Sequence, residues 1–175
     1  MRLLKATIVG LVGLVIVLAL VSVFLPSSFS VERTIQIKAP PSTIHPLVGD
    51  LKRWPAWEPW AKDDPTIVTR LGTTTRGVGA FQSWTGASGD GELVFTASSP
   101  ERGVEYDLTF NKSFASRAAL RYYPNAAGTE VMWVMQGDVG WDPVSRYFAL
   151  AMDAMVGPMF ETGLRSLKRE AESSS

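Results

Sequence analysis

The hydrophobic and polar positions along the chain form seven short strand-like runs, and these predict seven β-strands. In the first run every second residue from Val31 to Ile37 lies on one side and polar residues lie on the other, which is typical of a half-buried strand. Six further runs follow, over residues 66–71, 79–84, 92–97, 104–110, 117–123 and 130–136. Turn-forming residues such as Asp90-Gly91 separate them, so the strands are expected to pair mostly in antiparallel fashion.

A short helix is predicted between the first and second strands. Apolar residues recur there at helical spacing, at Ile44, Leu47, Val48 and Leu51. Pro46 lies within this pattern, and it is tolerated only if the helix begins near Ser42, so that the proline falls in the first turn.

A long helix is predicted at the C-terminal end, beginning after Asp142, which is a good N-cap ahead of Pro143. It carries two adjacent apolar rows: Phe148, Met152, Met155 and Met159 in one, and Val156, Phe160, Leu164 and Leu167 in the other. The Gly157-Pro158 pair in the middle is expected to kink or split the helix. A curved antiparallel sheet wrapped around this helix, an α+β arrangement, is the simplest way to bury both apolar faces.

Residues 6–25 form an apolar stretch without any charged residue. A helix of this length matches the ~30 Å hydrocarbon core of a bilayer, so the stretch predicts a transmembrane helix. Arg2 and Lys5 precede it, which favours a cytoplasmic N-terminus and an extracytoplasmic domain, either periplasmic or at the cell surface. The alternative is a cleaved secretory signal with Ser28-Phe29-Ser30 at the cleavage site, and it also places the domain outside the cytoplasm.

The chain is accordingly divided into four parts. They are a cytoplasmic tip and transmembrane signal anchor (1–26), a linker (27–30), one folded domain (31–171) and a disordered tail (172–175). A linker this short reaches at most ~14 Å, so the domain is expected to lie close to the bilayer.

Composition and charge exclude several kinds of site. The 175-residue chain has a formal net charge of zero, one histidine and no cysteine. The lack of cysteine excludes disulfides, iron–sulfur clusters, thiolate zinc sites and cysteine nucleophiles. Balanced charge without a basic stripe argues against nucleic acid as a partner. A single histidine with scattered carboxylates has no recognisable ligand spacing, so neither a metal site nor a cofactor is predicted.

Four segments, in their order along the chain, resemble the START-like or SRPBCC superfamily and, within it, the polyketide cyclase/dehydrase and lipid transport branch. They are VERTIQIKAPPSTI, DLKRWPAWEPWAKDDP, TEVMWVMQGD and RYFALAMDAMVGPMFETGLRSLK. The resemblance covers residues 31 to about 171 and implies the helix-grip fold, a seven-stranded curved antiparallel sheet wrapped around a long C-terminal helix. The predicted transmembrane helix would precede this fold. The resemblance also implies a deep, largely apolar cavity between sheet and helix.

A lipid or other hydrophobic small molecule is the ligand that this resemblance implies. Inward-facing positions are expected to line the cavity: Trp84, Phe95, Tyr106, Leu108, Tyr122, Trp133, Met135, Phe148, Met152, Met155 and Met159. Flexible methionine side chains suit a site that accepts chains of varied shape, although they would equally form a loosely specified core. The tyrosine hydroxyls need a partner when buried, which a ligand's polar group would supply.

Three of the six tryptophans lie in the segment RWPAWEPW, at Trp54, Trp57 and Trp60. They are interpreted as a plug that closes one end of the grip, with a ligand-contacting rim and membrane contact as the alternatives. Pro55 and Pro59 disfavour helical backbone at the residues before them, so the three indoles are expected to diverge rather than stack.

No catalytic residue is predicted. His45 is the only imidazole and has no acid or nucleophile near it in sequence, and Asp153 is expected to pair with a cation on a helix flank. The sequence therefore predicts a membrane-anchored extracytoplasmic binding domain for a lipid or hydrophobic small molecule, without catalysis. The alternatives are a polyketide cyclase/dehydratase-like enzyme that acts by positioning, and an envelope protein-interaction or sensor module with a collapsed cavity.

Overall fold

The seven predicted strands form one antiparallel sheet in the computed structural model, which describes residues 2–173. The strands are β1 (Ser28–Ile37), β2 (Val68–Leu71), β3 (Phe81–Thr85), β4 (Gly91–Ser99), β5 (Gly103–Phe110), β6 (Phe114–Asn125) and β7 (Gly128–Asp138). Their order across the sheet is β1-β7-β6-β5-β4-β3-β2. Neighbours from β2 to β7 are consecutive in the chain, and β1 pairs with β7 at the far edge. The predicted antiparallel arrangement is confirmed.

The first strand begins three residues earlier than predicted, at Ser28, because these residues also pair with β7. Ser28 lies opposite Asp138, and the Val139 amide donates a 2.7 Å hydrogen bond to the Ser27 carbonyl. Most of the segment expected to be a linker (27–30) is therefore part of the sheet.

Four α-helices and one short 3₁₀ helix complete the described chain. They are α1 (Arg2–Ser22), α2 (Pro41–Val48), the 3₁₀ helix (Leu51–Ala56), α3 (Trp60–Asp63) and α4 (Pro143–Ser173). The prediction for α2 was wrong in one respect, since Pro46 lies in its second turn. Proline cannot donate to the carbonyl four residues earlier, and this loss matters least at the surface. Ser42 and Pro46 are both exposed.

The C-terminal helix α4 continues through Gly157-Pro158, so the expected split is not found. Gly157 instead makes room for Arg33 of β1, because a Cβ atom at this position would collide with the guanidinium group. The same guanidinium forms ion pairs with Asp153 at 2.7 Å and Glu161 at 2.9 Å, about one helical turn to either side. The glycine therefore serves a strand–helix contact, and the expected pairing of Asp153 with a cation is confirmed.

Helix α4 runs alongside β1 in the same direction. Near its start, Arg146 donates to three carbonyls just before β1, those of Ser22, Val23 and Leu25. Near its end, Lys168 donates to the Gln36 carbonyl at 2.8 Å. The helix includes residues 172 and 173, which were expected to be tail, while positions 174–175 of that predicted tail lie outside the described residues.

The N-terminal helix α1 exposes large apolar side chains along its length. They include Ile8, Val9, Leu14 and Val17, which point in different directions around the helix. Within the part of the chain that the structure describes, no helix has both the length and the hydropathy needed to cross a membrane, so the predicted transmembrane helix is not found. The Tyr147 hydroxyl of α4 donates to the Leu18 carbonyl at 2.8 Å and ties α1 to the domain.

Candidate functional site

Aromatic side chains fill the space between the sheet and the second half of α4. Trp133 of β7 stacks on Phe160 of α4, with ring centroids 4.1 Å apart and ring planes 3° apart. The Trp133 indole N–H donates to the Tyr106 hydroxyl at 3.0 Å, and the rings of Trp57 and Trp60 meet Trp133 edge-on. We call this the closed end of the domain. The deep cavity that the resemblance implies does not lie here, because these rings occupy the space.

The tryptophan segment contributes directly to the closed end. Trp54 and Trp57 are buried and Trp60 is half-buried, so none of them is fully exposed. The indole N–H groups of the first two donate to carbonyls at the end of α2, Trp54 to Val48 at 2.8 Å and Trp57 to Leu47 at 3.0 Å. These bonds orient both rings inward.

One expectation about this segment was wrong. The Trp54 and Trp57 rings do not diverge but lie 5.2 Å apart, tilted by 56°. Pro55 lies inside the 3₁₀ helix without breaking it, because proline's fixed φ is compatible with a helical turn. The Asp50 carboxylate caps the first turn by accepting from the Lys52 amide.

The predicted lining residues fall into two groups. Five are buried: Phe95, Tyr106, Tyr122, Trp133 and Met135. Six are half-buried or exposed: Trp84, Leu108, Phe148, Met152, Met155 and Met159. Contact with a ligand stays a prediction for both groups, but only the second group is accessible without rearrangement of the core.

Half-buried apolar residues are concentrated where β1 begins. Strand pairing aligns four half-buried residues in one row across the inner face of the sheet: Trp84, Gly91, Phe110 and Phe114. The next row contains Phe29, Gly137, Ser116, Leu108 and Leu93. Helix α4 starts at this same end of the sheet, as the hydrogen bonds from Arg146 in its first turns to the carbonyls that precede β1 show. We call this the open end.

The first half of α4 presents apolar side chains that the sheet does not cover. Phe148 is 54% exposed and Met155 is 55% exposed, while Met152 between them is half-buried. Their spacings of four and three residues place them on one side of the helix. Leu150 is 62% exposed, but it lies on another side of the helix. Positions two apart along an α-helix are separated by about 200° around its axis, so Leu150 and Phe148 point in nearly opposite directions.

The open end also holds a buried polar group without a partner. Among the described residues, the Ser116 hydroxyl is buried and has no hydrogen-bond partner. Ser116 lies in an inward row between Leu108 and Gly137 and is 6% exposed. An unpaired buried hydroxyl costs about 1–3 kcal/mol, so such groups normally bind protein, water or a ligand. The sequence pattern did not identify Ser116, although extending the alternation of β6 backwards would have placed it on the inner face.

The single histidine lies at the opposite end of the sheet, in a cleft of about 350 Å³. The cleft is lined by His45, Pro46, Gly49, Asp50, Arg76, Gly77 and Ser98. The ring nitrogens of His45 lie 3.5 Å from the hydroxyl groups of Ser98 and Tyr122. Burial lowers the pKa of His45 below its ordinary value of 6.5, and the nearby Glu101 carboxylate opposes this shift. Folding therefore gives His45 neighbours that its sequence context lacks.

A second depression, of about 660 Å³, lies beside the β6–β7 hairpin and the start of α2. Neither depression is lined by any of the predicted ligand-contacting residues. Within the described residues, no group of three or more His, Asp and Glu side chains is placed to hold a metal ion. The half-buried apolar side chains and the Ser116 hydroxyl make the open end the candidate site for an apolar ligand.

Several solved structures share this fold. The chain is similar to protein CV1439 from Chromobacterium violaceum, with 15% identity over 82% of this chain and 98% of that chain and a TM-score of 0.61. It is similar to SA2116, a protein of unknown function from Staphylococcus aureus, with 12% identity over 84% and 95% of the two chains and a TM-score of 0.60. It is also similar to DynU16, a putative protein in the dynemicin biosynthetic locus, with 14% identity, 82% and 47% coverage and a TM-score of 0.57.

Identities this low show the fold alone, and no curated protein matches the chain in sequence. Family membership comes from a match over most of the chain, residues 28–172. The chain belongs to the polyketide cyclase / dehydrase and lipid transport family.

Proposed function

We propose that this chain is a membrane-anchored domain that binds a lipid or other hydrophobic small molecule at its open end, without catalysing a reaction. The observation that carries the proposal is the unpaired hydroxyl of Ser116, which is buried beside half-buried Leu108 and one row from half-buried Phe110 and Phe114. A mainly apolar ligand with one hydrogen-bonding group would cover the apolar side chains and pair with the hydroxyl.

The contribution of apolar burial to the binding free energy can be estimated from the exposed residues of α4. Fully burying a Phe or Met side chain is worth about 1.5–3 kcal/mol. Phe148 and Met155 are each about half exposed, so a ligand that covered both would gain roughly 1.5–3 kcal/mol from them. Replacing both residues with serine is therefore expected to weaken binding roughly 10- to 150-fold.

The test compares two sets of exposed apolar residues on the same helix. The full chain, extracted from its host membranes with detergent, is analysed by mass spectrometry for small molecules that co-purify with it. We expect a hydrophobic species with the wild type and with Leu150→Ser, and its loss from the Phe148→Ser/Met155→Ser double variant. Wild-type protein that is reproducibly empty, or equal loading of all three proteins, would contradict the proposal.

Anchoring is proposed through α1, whose exposed apolar side chains surround the helix. A one-sided apolar stripe would suit a protein groove, whereas an apolar surface on all sides suits lipid. Arg2 and Lys5 near its start favour an N-terminus in the cytoplasm and a domain outside it. The full chain is expected to float with liposomes in a density gradient, and protease added outside intact cells or spheroplasts is expected to digest the domain. A full chain that stays at the bottom of the gradient argues against anchoring, and a protected domain argues against the orientation.

A second candidate function, an interaction or sensor module with a collapsed cavity, is favoured by the stack of Trp133 on Phe160 at the closed end. Reproducibly empty protein in the ligand test would favour it over binding. The cyclase-like alternative has less support from geometry, because His45 lies at the opposite end of the sheet from the open end. An acid or base must reach the bound substrate to act on it.

A further inference from the structure

The open end is also the end of the domain at which α1 is attached. β1 begins at Ser28, six positions after the last residue of α1, and α4 starts beside the same junction. The hydrogen bond between Val139 and Ser27 holds the connecting segment against the end of β7. The orientation of the domain relative to α1 is therefore set by direct contacts, and the open end lies on the α1 side.

Large apolar side chains surround this junction and are exposed. Phe24 is 89% exposed, Trp141 is 82% exposed and Val144 is 64% exposed. We name these three residues the collar.

Arg146 links two residues of the collar, Phe24 and Trp141. Its guanidinium group binds backbone carbonyls on both sides of Phe24, at distances of 2.9–3.1 Å. The Trp141 ring packs over the same group, 4.9 Å from the guanidinium carbon to the ring centroid. Phe24 and Trp141 therefore flank one buried cation.

These contacts suit a helix end at a membrane surface. The last carbonyls of a helix have no partner within the helix, and leaving them unpaired in an apolar medium is costly. The amides of Val23, Phe24 and Leu25 pair with the carbonyls of the last turn of α1. Arg146, which is 6% exposed, adds a bond to the Ser22 carbonyl and pairs with the Val23 carbonyl just beyond the helix end. Tryptophan favours the zone between headgroups and acyl chains, and the collar is continuous with the apolar surface of α1. A protein partner would not account for apolar side chains on every side of α1.

We propose that the collar rests in the interfacial zone of a lipid bilayer, so that the open end of the domain faces the membrane surface. The inference rests on the proposed function, because it requires α1 to be embedded in lipid. Beyond the proposed function, the collar fixes the orientation of the domain on the membrane. It also specifies the class of ligand, which is a membrane amphiphile that reaches the open end from the bilayer. Val144, Phe148 and Met152 lead from the collar along α4 to the open end.

The experiment measures the contact of single tryptophans with lipid. The full chain is placed in lipid nanodiscs made with either ordinary or brominated phosphatidylcholine, because bromine quenches nearby indole fluorescence. Subtracting the Trp141→Phe variant isolates the emission of Trp141. The matched probe is Tyr123→Trp in the Trp141→Phe background, since Tyr123 is exposed near the β6–β7 hairpin at the opposite end of the sheet.

Each outcome decides the proposal. We expect Trp141 to lose most of its emission in brominated discs and the probe at position 123 to keep its emission. A chain that enters the discs with an unquenched Trp141 overturns the collar but leaves anchoring intact. Equal quenching at both positions overturns the orientation. A chain that does not enter the discs overturns anchoring itself, and the collar with it.

Discussion

Replacing Ser116 with alanine is expected to stabilise the ligand-free protein while weakening ligand binding. The hydroxyl is buried and unpaired among the described residues, so its removal should relieve about 1–3 kcal/mol. The substitution also leaves a void smaller than a methyl group, and this void lowers the free energy of unfolding by less than ~1 kcal/mol. The net stabilisation is then above zero and at most about 3 kcal/mol, which corresponds to a rise of up to roughly 12 °C in Tm for a domain of this size.

The assay is urea unfolding of the delipidated full chain in detergent, followed by tryptophan fluorescence. Thr129→Val is the matched control, because Thr129 is also a buried strand residue but its hydroxyl donates to the Ala39 carbonyl at 2.8 Å. Losing this hydroxyl leaves the buried Ala39 carbonyl without its donor and should destabilise the protein by about 1–3 kcal/mol. The two substitutions are therefore expected to change the free energy of unfolding in opposite directions.

Ligand binding supplies the second half of this prediction. If a ligand's polar group pairs with the hydroxyl, Ser116→Ala removes one hydrogen bond and weakens binding about 2- to 10-fold. If Ser116→Ala destabilises the protein as much as Thr129→Val does, the hydroxyl already has a partner such as an ordered water. The reasoning that places a ligand at the open end would then be refuted.

Three further substitutions test other parts of the structure. Trp133→Ala removes a stacked core indole and should cost about 3–5 kcal/mol in urea unfolding, whereas Trp141→Ala removes only an exposed cation–π contact with Arg146 and should cost no more than ~1 kcal/mol. The Tm of the wild type is expected to fall as the pH drops below 6.5, and His45→Gln should abolish this fall. Arg146→Met removes the bonds to the carbonyls around Phe24, so chymotrypsin should cleave after Phe24 faster than in the wild type.

The sign of the pH effect follows from burial. Burial lowers the pKa of His45 in the folded state, so the unfolded chain binds the proton more tightly. Stability is complete above the unfolded pKa of 6.5 and falls as the pH drops from there toward the lower folded pKa. An identical pH profile in His45→Gln would show that other groups cause the effect.

Two outcomes would contradict the other predictions. A loss below ~1.5 kcal/mol for Trp133→Ala would mean that the closed end is not tightly packed. Unchanged cleavage after Phe24 in Arg146→Met would mean that the guanidinium group does not hold the junction.

Much of the fold could be predicted because the patterns that encode it are local. Strand-like runs bounded by turn residues identify every strand, and helical spacing identifies α2 and α4. The errors occur where a distant segment decides the outcome. Gly157 looked like a helix breaker, but Arg33 of β1 requires the space beside it. β1 starts early because β7 offers it partners as far back as Ser28.

The candidate site was predicted less completely, because accessibility is not a local property. Trp133 and Met152 were both expected to line a cavity, and both lie on inward-facing surfaces. Phe160 covers Trp133, whereas Met152 stays half-buried. Nothing in the residues next to Trp133 or Met152 in the chain distinguishes the two cases.

The sequence by itself determined the strand and helix periodicity, the resemblance to the family and the apolar character of the N-terminal stretch. Only the tertiary structure decided that one end of the grip is filled by rings and that the Ser116 hydroxyl at the other end has no partner among the described residues. It also decided that α1 attaches at that same end. The physical reason is that burial and hydrogen bonding depend on what other segments bring into contact, whereas periodicity depends only on neighbours along the chain.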